Sequence, residues 1–275
     1  TLTTSSAASD VYKRQDEFKM SYGCEWVFER GMFITQEKMF KESLALTEGY
    51  FSITHLNGIK NSYPNMKIIA GIDWGSSSDS TVITLMAVDW QTPLHYEVLS
   101  DENGLHEYQF YQKHILGWFE WIGDDYETQY QEILPLLMST PNLVKVVMDA
   151  TACGKPMYDR MAADLGEYKD IVPFVFSSKS KSDAYKAFNQ ELSGSRITFP
   201  AHSTVRTSNA YRKFIGQMLD LKKEYRNGLM VVAHPDEKHA HDDYPDSVCL
   251  ANWGCMEQSL SPVSYTHLTL PTRLS

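Results

Sequence analysis

Apolar residues fall along this chain in two textures: short unbroken runs that end in a charged or small residue, and longer stretches where apolar positions recur every three or four residues. The first texture predicts buried strands and the second predicts helices packed through one face. Runs at 67–73, 81–89 and 94–100 are joined by short polar turns, which predicts an antiparallel meander. Helical spacing follows at 106–119 and at 125–139, where Pro135 is expected to kink or end the helix. Strand 143–149, helix 155–165, strand 171–176 and helix 181–192 then alternate, a rhythm that adds parallel strands to the meander. A short strand 196–199, a long helix 204–224, a strand 229–233 and a helix 242–253 complete the pattern. The expected fold class is α/β, a mixed sheet built from an antiparallel three-strand meander plus parallel strands, with flanking helices.

Ahead of this pattern the texture changes. Residues 16–65 read as an appendage: aromatic extended pieces at 22–28 and 32–34, a helix over 36–46 with Thr35 as its cap, and a polar loop closing at Asn61-Ser62-Tyr63-Pro64-Asn65. The main domain is expected to span 66–261. The two ends look foreign to it, because Ser5–Gln15 and Pro262–Thr272 resemble the two strands of a sequencing-transposon adapter translated in frame; residues 1–15 and 262–275 are therefore set aside as adapter-derived tails. The stretch between them is expected to be a piece of a longer reading frame.

A hydrophobic content of 43% suffices for one complete core, and no apolar stretch approaches the length of a membrane span. Cys24, Cys153, Cys249 and Cys255 have neither CxxC pairing nor zinc-like spacing, so free thiols are expected. Setting aside Asp10, Lys13, Arg14 and Arg273 leaves 34 acidic against 22 basic residues, a balance that does not by itself suggest a nucleic-acid partner. The bases are unevenly placed, however. Residues 177–226 carry ten of them against four acids, and Lys179, Lys181, Lys186, Arg206, Arg212 and Lys213 are candidates for holding a phosphate backbone. A solvated helix face accounts equally for the basic residues of 204–226.

Three acidic clusters stand at the ends of predicted elements. Asp73 closes the run Ile68-Ile69-Ala70-Gly71-Ile72 and is followed by Trp74-Gly75-Ser76-Ser77-Ser78-Asp79. Asp149 closes Val144-Lys145-Val146-Val147-Met148 and is followed by Ala150-Thr151-Ala152-Cys153-Gly154. The third cluster, His241-Asp242-Asp243-Tyr244-Pro245-Asp246-Ser247, opens a helix with Asp243 and Asp246 on one face. Small residues beside each acid leave room for a phosphate or a metal. Each cluster also has a plainer reading, as a turn that uses Asp and Gly for their backbone preferences, or as a helix cap. Together they exceed what turns and caps require: two carboxylates about 4 Å apart repel by roughly 4 kcal/mol at an effective dielectric near 20, so a proton or a cation must share the site. The remaining histidines, His55, His95, His106, His114, His202, His234 and His239, lack metal-like spacing and are expected at the surface or in the core.

The first cluster resembles the phosphate loop of sugar-kinase and actin-like ATPases, but no second Asp-Gly turn or Gly-Gly adenosine loop follows. Gly154-Lys155 runs into Pro156 without the upstream glycine of a Walker loop. The ordered triplet over residues 20–254 instead resembles the C-terminal nuclease domain of the bacteriophage terminase large subunit, which has a ribonuclease H-like fold. That resemblance implies that residues 16–65 are the end of the ATPase domain and its linker, that 66–261 are the nuclease domain, and that this chain does not hydrolyse ATP. It further implies an endonuclease that cuts double-stranded concatemeric DNA during genome packaging in the host cytoplasm, with the terminase small subunit and the portal protein as partners. Asp73, Asp149 and Asp243 match the catalytic acids, Asp246 is a further ligand, and Asp79, His241 and Asp242 are auxiliary. Ala152 departs from the family's Thr-Gly-x-Gly, which puts the geometry of that loop in question.

The chemistry follows from the acids themselves. Asp73, Asp149, Asp243 and Asp246 form an oxygen-only ligand set, which favours Mg2+ or Mn2+. Two such ions about 3.5–4 Å apart would serve in-line phosphodiester hydrolysis. An ATP-using phosphotransferase and a non-catalytic DNA clamp are the alternatives, distinguished respectively by thermal protection with ATP and by salt-sensitive DNA binding without a metal-dependent product.

Overall fold

The computed structural model describes residues 31–35, 61, 64–75, 80–101, 104–123, 125–152, 154–200, 203–233, 242–256 and 263–264. The pieces expected at 22–28 and 36–46, Asp79, His241, Cys24 and Cys153 lie outside them.

In chain order the elements are β1 (Gly31–Met32), β2 (Lys67–Asp73), β3 (Ser80–Val88), β4 (His95–Asp101), β5 (Gly104–Phe110), β6 (Lys113–Ile122), α1 (Tyr126–Ser139), β7 (Leu143–Asp149), α2 (Gly154–Leu165), β8 (Asp170–Phe174), α3 (Ser178–Ser193) and β9 (Ile197–Thr198). After them come α4 (Ser203–Arg206), α5 (Asn209–Asp220), β10 (Lys222–Arg226), β11 (Leu229–Ala233), α6 (Asp243–Met256) and β12 (Val263–Ser264). The central sheet has six strands in the order β8-β7-β2-β3-β6-β9. β2, β3 and β6 form the antiparallel meander, while β7 runs parallel to β2, β8 parallel to β7, and β9 parallel to β6.

Helices cover the sheet on both sides, which is why its strands read as unbroken apolar runs rather than alternating ones. Ile68, Ala70, Ile72, Val146 and Met148 pack against Tyr130, Ile133 and Leu137 of α1 and Met157, Met161 and Leu165 of α2. Ile69, Val82, Met86 and Val147 join a second core with residues of α3, α5 and α6, among them Phe188, Phe214 and Val248. Phe33 and Ile34 belong to this second core as well: the Phe33 ring meets Tyr185 edge-on and stacks on Phe188.

Three expectations are corrected. Residues 106–119 are strand rather than helix, and the third strand of the meander is β6, not 94–100. β6 is rich in aromatic residues and carries Gly117, a composition that suits a pleated surface better than a helix interior. The 94–100 run instead pairs with β5 in a separate small sheet, to which β12 adds. The long helix 204–224 breaks at Thr207-Ser208, where the Ser208 hydroxyl caps α5 by accepting from the Tyr211 amide. Its last residues become β10, turned onto β11 by Asn227 and Gly228 with φ of 51° and 78°. Asn-Gly is the dipeptide that a two-residue hairpin of this hand favours. Of the two outcomes expected at Pro135, a kink or an end, the second does not occur: α1 runs on to Ser139.

His114 lies buried on β6, with Nδ1 2.7 Å from the Thr198 hydroxyl of β9, and burial pushes its pKa down to about 4. The folded state holds it neutral while the unfolded chain protonates near pH 6.5, so its contribution to stability is present above that pH and is lost as pH falls from 6.5 towards 4. Between pH 7 and pH 5 the loss amounts to about 2 kcal/mol. Urea unfolding of His114→Gln is expected to show a correspondingly flatter acid limb than the parent; identical pH profiles would contradict this account.

Candidate active site

The acids are brought together by the sheet and by one helix. β2 and β7 are parallel neighbours in register up to Ile72 opposite Met148, so the next residue of each, Asp73 and Asp149, ends its strand at the same edge. Side chains alternate across a sheet. Asp73 therefore shares a face with Ile69 and Gly71, and Asp149 with Val147, the face that α6 covers.

Gly71 sets how closely α6 lies. A Cβ at this position would sit 2.1 Å from the Ser247 carbonyl oxygen and 2.4 Å from the Ala251 amide nitrogen, so only glycine lets the helix backbone rest on β2. The Ser247 and Thr84 hydroxyls, 2.7 Å apart, tie the helix to β3. Packing at this depth brings the first turn of α6, with Asp243 and Asp246, beside Asp73. A helix N-terminus tolerates these acids because its dipole favours negative charge, and Pro245 is accommodated in the first turn.

Every one of these carboxylates bears on Asp73. Burial, then the charges of Asp246, Asp243, Asp149 and Asp242, raise its pKa well above the usual carboxylate range. Asp149 is also raised, by burial, against the opposing hydrogen bonds from Thr151 and the charge of Lys181. Its Oδ1 accepts the Thr151 amide at 2.7 Å. Asp246 is pushed up to about 6, burial outweighing the neighbouring Lys181.

One cation already stands among the acids. The Lys181 ammonium on α3 lies 2.8 Å from Asp242 Oδ2 and 2.8 Å from Asp246 Oδ2, and the Tyr185 hydroxyl, one helical turn further on, donates to Asp246 Oδ1 at 2.6 Å. Burial works against the Lys181 charge, but Asp246 and Asp242 outweigh it and hold its pKa above the ordinary lysine value. Among the described residues no three His, Cys, Asp or Glu side chains close on one point as a finished ligand set. The acids share a field, with Lys181 neutralising its α6 side.

The loop after Asp149 is compact. Gly154 abuts the Asp149 carbonyl, where a Cβ would come within 2.1 Å, and the Thr151 hydroxyl accepts the Phe176 amide at 2.8 Å. Ala152 takes φ 45°, a left-handed conformation that costs a non-glycine residue roughly 1 kcal/mol. Ala152 therefore holds the loop under strain in a conformation that glycine adopts freely.

The bases named from the sequence fall into two groups. Lys179, Arg206 and Arg212 are exposed. Lys181 is held by the acids, Lys186 donates to the Gly228 carbonyl at 3.0 Å, and Lys213 contacts both oxygens of Glu120 at 2.7 Å. From the sequence Lys181 is expected on the phosphate backbone and Tyr185 is not among the expected site residues, whereas in the structure both contact Asp246. The signal available was their spacing of four on one helix, which puts both on the same face; nothing local says that this face meets α6.

Among solved structures, the nuclease domain of the large terminase subunit gp2 of bacterial virus Sf6 superposes with a TM-score of 0.53 at 8% identity, covering 81% of this chain and 98% of that one. A mutant gp2c of the bacteriophage Sf6 large terminase subunit, with calcium, gives 0.52 at 10% identity over 81% and 99%. The HK97 bacteriophage large terminase gives 0.51 at 11% identity, covering 89% of this chain but 49% of that one, so the chain spans about half its length. No curated protein matches the chain. The likenesses in structure show a shared fold, and the family model of the terminase RNaseH-like domain, which matches residues 70–252, identifies that fold as ribonuclease H-like. The chain belongs to the terminase RNaseH-like domain family, the nuclease domain of the terminase large subunit.

Proposed function

We propose that this domain is a Mg2+- or Mn2+-dependent endonuclease that cuts double-stranded concatemeric DNA during phage genome packaging. The observation that carries the reading is the position of Asp73: a strand-end carboxylate whose ionisation is opposed by burial and by four neighbouring acids. Such a group stays charged near neutral pH when a multivalent cation offsets the repulsion. The donors are all carboxylate oxygens, which suits hard cations, and the Sf6 relative is described with calcium.

In this reading Asp73, Asp149 and Asp243 would hold the divalent ions, and Asp246, contacted by Lys181 and Tyr185, would be a further ligand; Asp79, His241 and Asp242 would be auxiliary. When bound, the divalent ions polarise the scissile phosphate, activate water and offset charge on the leaving 3′-oxygen. The protein's own part is to fix the carboxylates on rigid elements, two strand ends and one helix turn, so that little reorganisation accompanies the reaction. The exposed Lys179, Arg206 and Arg212 steady the phosphate backbone without reading bases. Membership of the family supports, as part of this proposal, a packaging setting with an ATPase half, a small subunit, a portal and the host cytoplasm.

Supercoiled plasmid tests the reading. Nicked and linear products are expected with Mg2+ or Mn2+ and none with chelator, and ATP is expected to give no thermal protection. Intact plasmid under every metal condition would remove the nuclease reading.

Lys181 supplies a second test. Removing one partner of a largely buried ion pair costs about 3 kcal/mol, so metal-free Lys181→Met is expected to melt below the parent. Because Asp242 and Asp246 then lack their resident cation, Mn2+ is expected to raise the melting temperature more in the variant than in the parent, as read by scanning calorimetry. Equal Mn2+ shifts would show that Lys181 and the metal do not share these acids.

A further inference from the structure

Beside the acids lies a cavity of about 450 Å³ that the proposed reaction does not use. Its walls are the entry to α3, with Phe176, Ser178 and Lys181, and the strand β11 from Met230 to Val232. The volume falls in the range of roughly 300–1,000 Å³ found for small-molecule sites. Three observations describe what would fit.

The β11 wall carries apolar side chains, Met230, Val231 and Val232, of which Val231 is half-buried and the other two are packed in the second core. One wall is aromatic, with the Phe176 ring 5.5 Å from the Lys181 ammonium. The β11 side is polar in a particular way. Among the described residues β11 pairs with β10 on one side only, and the Met230 amide points away from β10 to the Ser182 hydroxyl at 2.9 Å. Backbone directions repeat at every second residue of a strand, so the Met230 carbonyl and the Val232 amide are turned to that same free edge. An acceptor and a donor thus stand among apolar side chains, next to an aromatic ring.

This is the chemistry of a flat heterocycle with a hydrogen-bonding edge. The rim adds a direction: Lys181 lines the cavity while its ammonium holds Asp242 and Asp246, so the cavity and the acids meet at one side chain. We infer that the cavity is a nucleoside subsite, which takes one unstacked base of the DNA strand whose neighbouring phosphate lies at the acids. The inference rests on the nuclease reading for the identity of the polymer. The base lies against the 230–232 segment of β11 beside Phe176, its edge meets the β11 backbone, and its sugar-phosphate leads past Lys181. Unstacking costs least at a mismatched or melted position, so cleavage is expected to favour such positions over uniform duplex.

The test uses the metal-free protein in chelator, with its methionine methyl groups carbon-13 labelled and the Met230 signal assigned through Met230→Leu. Deoxyadenosine 5′-monophosphate is titrated in, with deoxyribose 5-phosphate and inorganic phosphate as parallel arms. A saturable shift of the Met230 methyl with the nucleotide and none with the other two is expected. Ser178→Trp places an indole at the mouth from an exposed position and is expected to weaken the nucleotide about tenfold or more. No Met230 response to the nucleotide, an equal response to deoxyribose 5-phosphate, or unchanged affinity in Ser178→Trp would overturn the subsite. Neither metal nor cleavage enters this experiment, so its failure leaves the plasmid result standing, and a failed plasmid assay leaves this one standing.

Discussion

Asp73→Asn is expected to abolish metal-dependent plasmid cleavage and, at the same time, to make the metal-free protein more stable. Both effects have one cause. At neutral pH the Asp73 carboxylate is opposed by burial and by Asp246, Asp243, Asp149 and Asp242; an amide of the same shape removes the charge and with it the repulsion. Relief of about 1 kcal/mol corresponds to a rise of roughly 2–4 °C in melting temperature for a domain of this size. The same change deletes the carboxylate on which the charges of all the others bear. Several kcal/mol of transition-state stabilisation would go with it, and each 1.36 kcal/mol is tenfold in rate, so a loss of about a thousandfold or more is expected. A variant that is both dead and stabilised separates a charged site from a structural acid, since a structural acid would lose stability on substitution. Cleavage at the parent rate would remove Asp73 from the chemistry.

Gly71→Ala is expected to produce a large loss of stability from a single methyl group. The added Cβ meets backbone on α6, at 2.1 Å from the Ser247 oxygen and 2.4 Å from the Ala251 nitrogen, and backbone in the middle of a buried helix cannot swing aside as a side-chain tip can. Overpacking of this kind costs about 3 kcal/mol or more, or roughly 6–12 °C in melting temperature. If the helix shifts instead of unfolding, Asp243 and Asp246 move away from Asp73, and cleavage falls even in the folded fraction. Thermal melts and cleavage assays on the folded protein measure the two consequences separately. A variant that melts and cuts like the parent would show that α6 is not seated through Gly71.

The elements that carry the acids were legible because their physics is local. β2 and β7 are short apolar runs closed by Asp73 and Asp149, and α6 begins where an Asp-rich turn with Pro245 suits a helix start. The misread elements are those where tertiary pairing decides. Within β6 the residues 115–119 are apolar at successive positions because the strand pairs with β3 and helices cover the sheet, and such a run has no period to distinguish strand from helix. The stretch 222–226 carries four charges among five residues and gains its strand character from pairing with β11, although Asn227-Gly228 announced the turn. For the site, the sequence named the carboxylates but not what holds them. The roles of Gly71 as a seat for α6, and of Lys181 and Tyr185 as partners of Asp246, depend on residues 61 or more positions apart, which no local pattern encodes.

The central claim is that Asp73, Asp149 and Asp243, delivered by two strands and a helix, bind divalent ions in common. Crystals soaked in Mn2+ and measured at the manganese absorption edge test it most directly. Anomalous peaks in contact with the Asp73 carboxylate and shared with Asp149 and Asp243 are predicted. Peaks confined to other surfaces, or none touching Asp73 at a manganese concentration that supports cleavage, would contradict it.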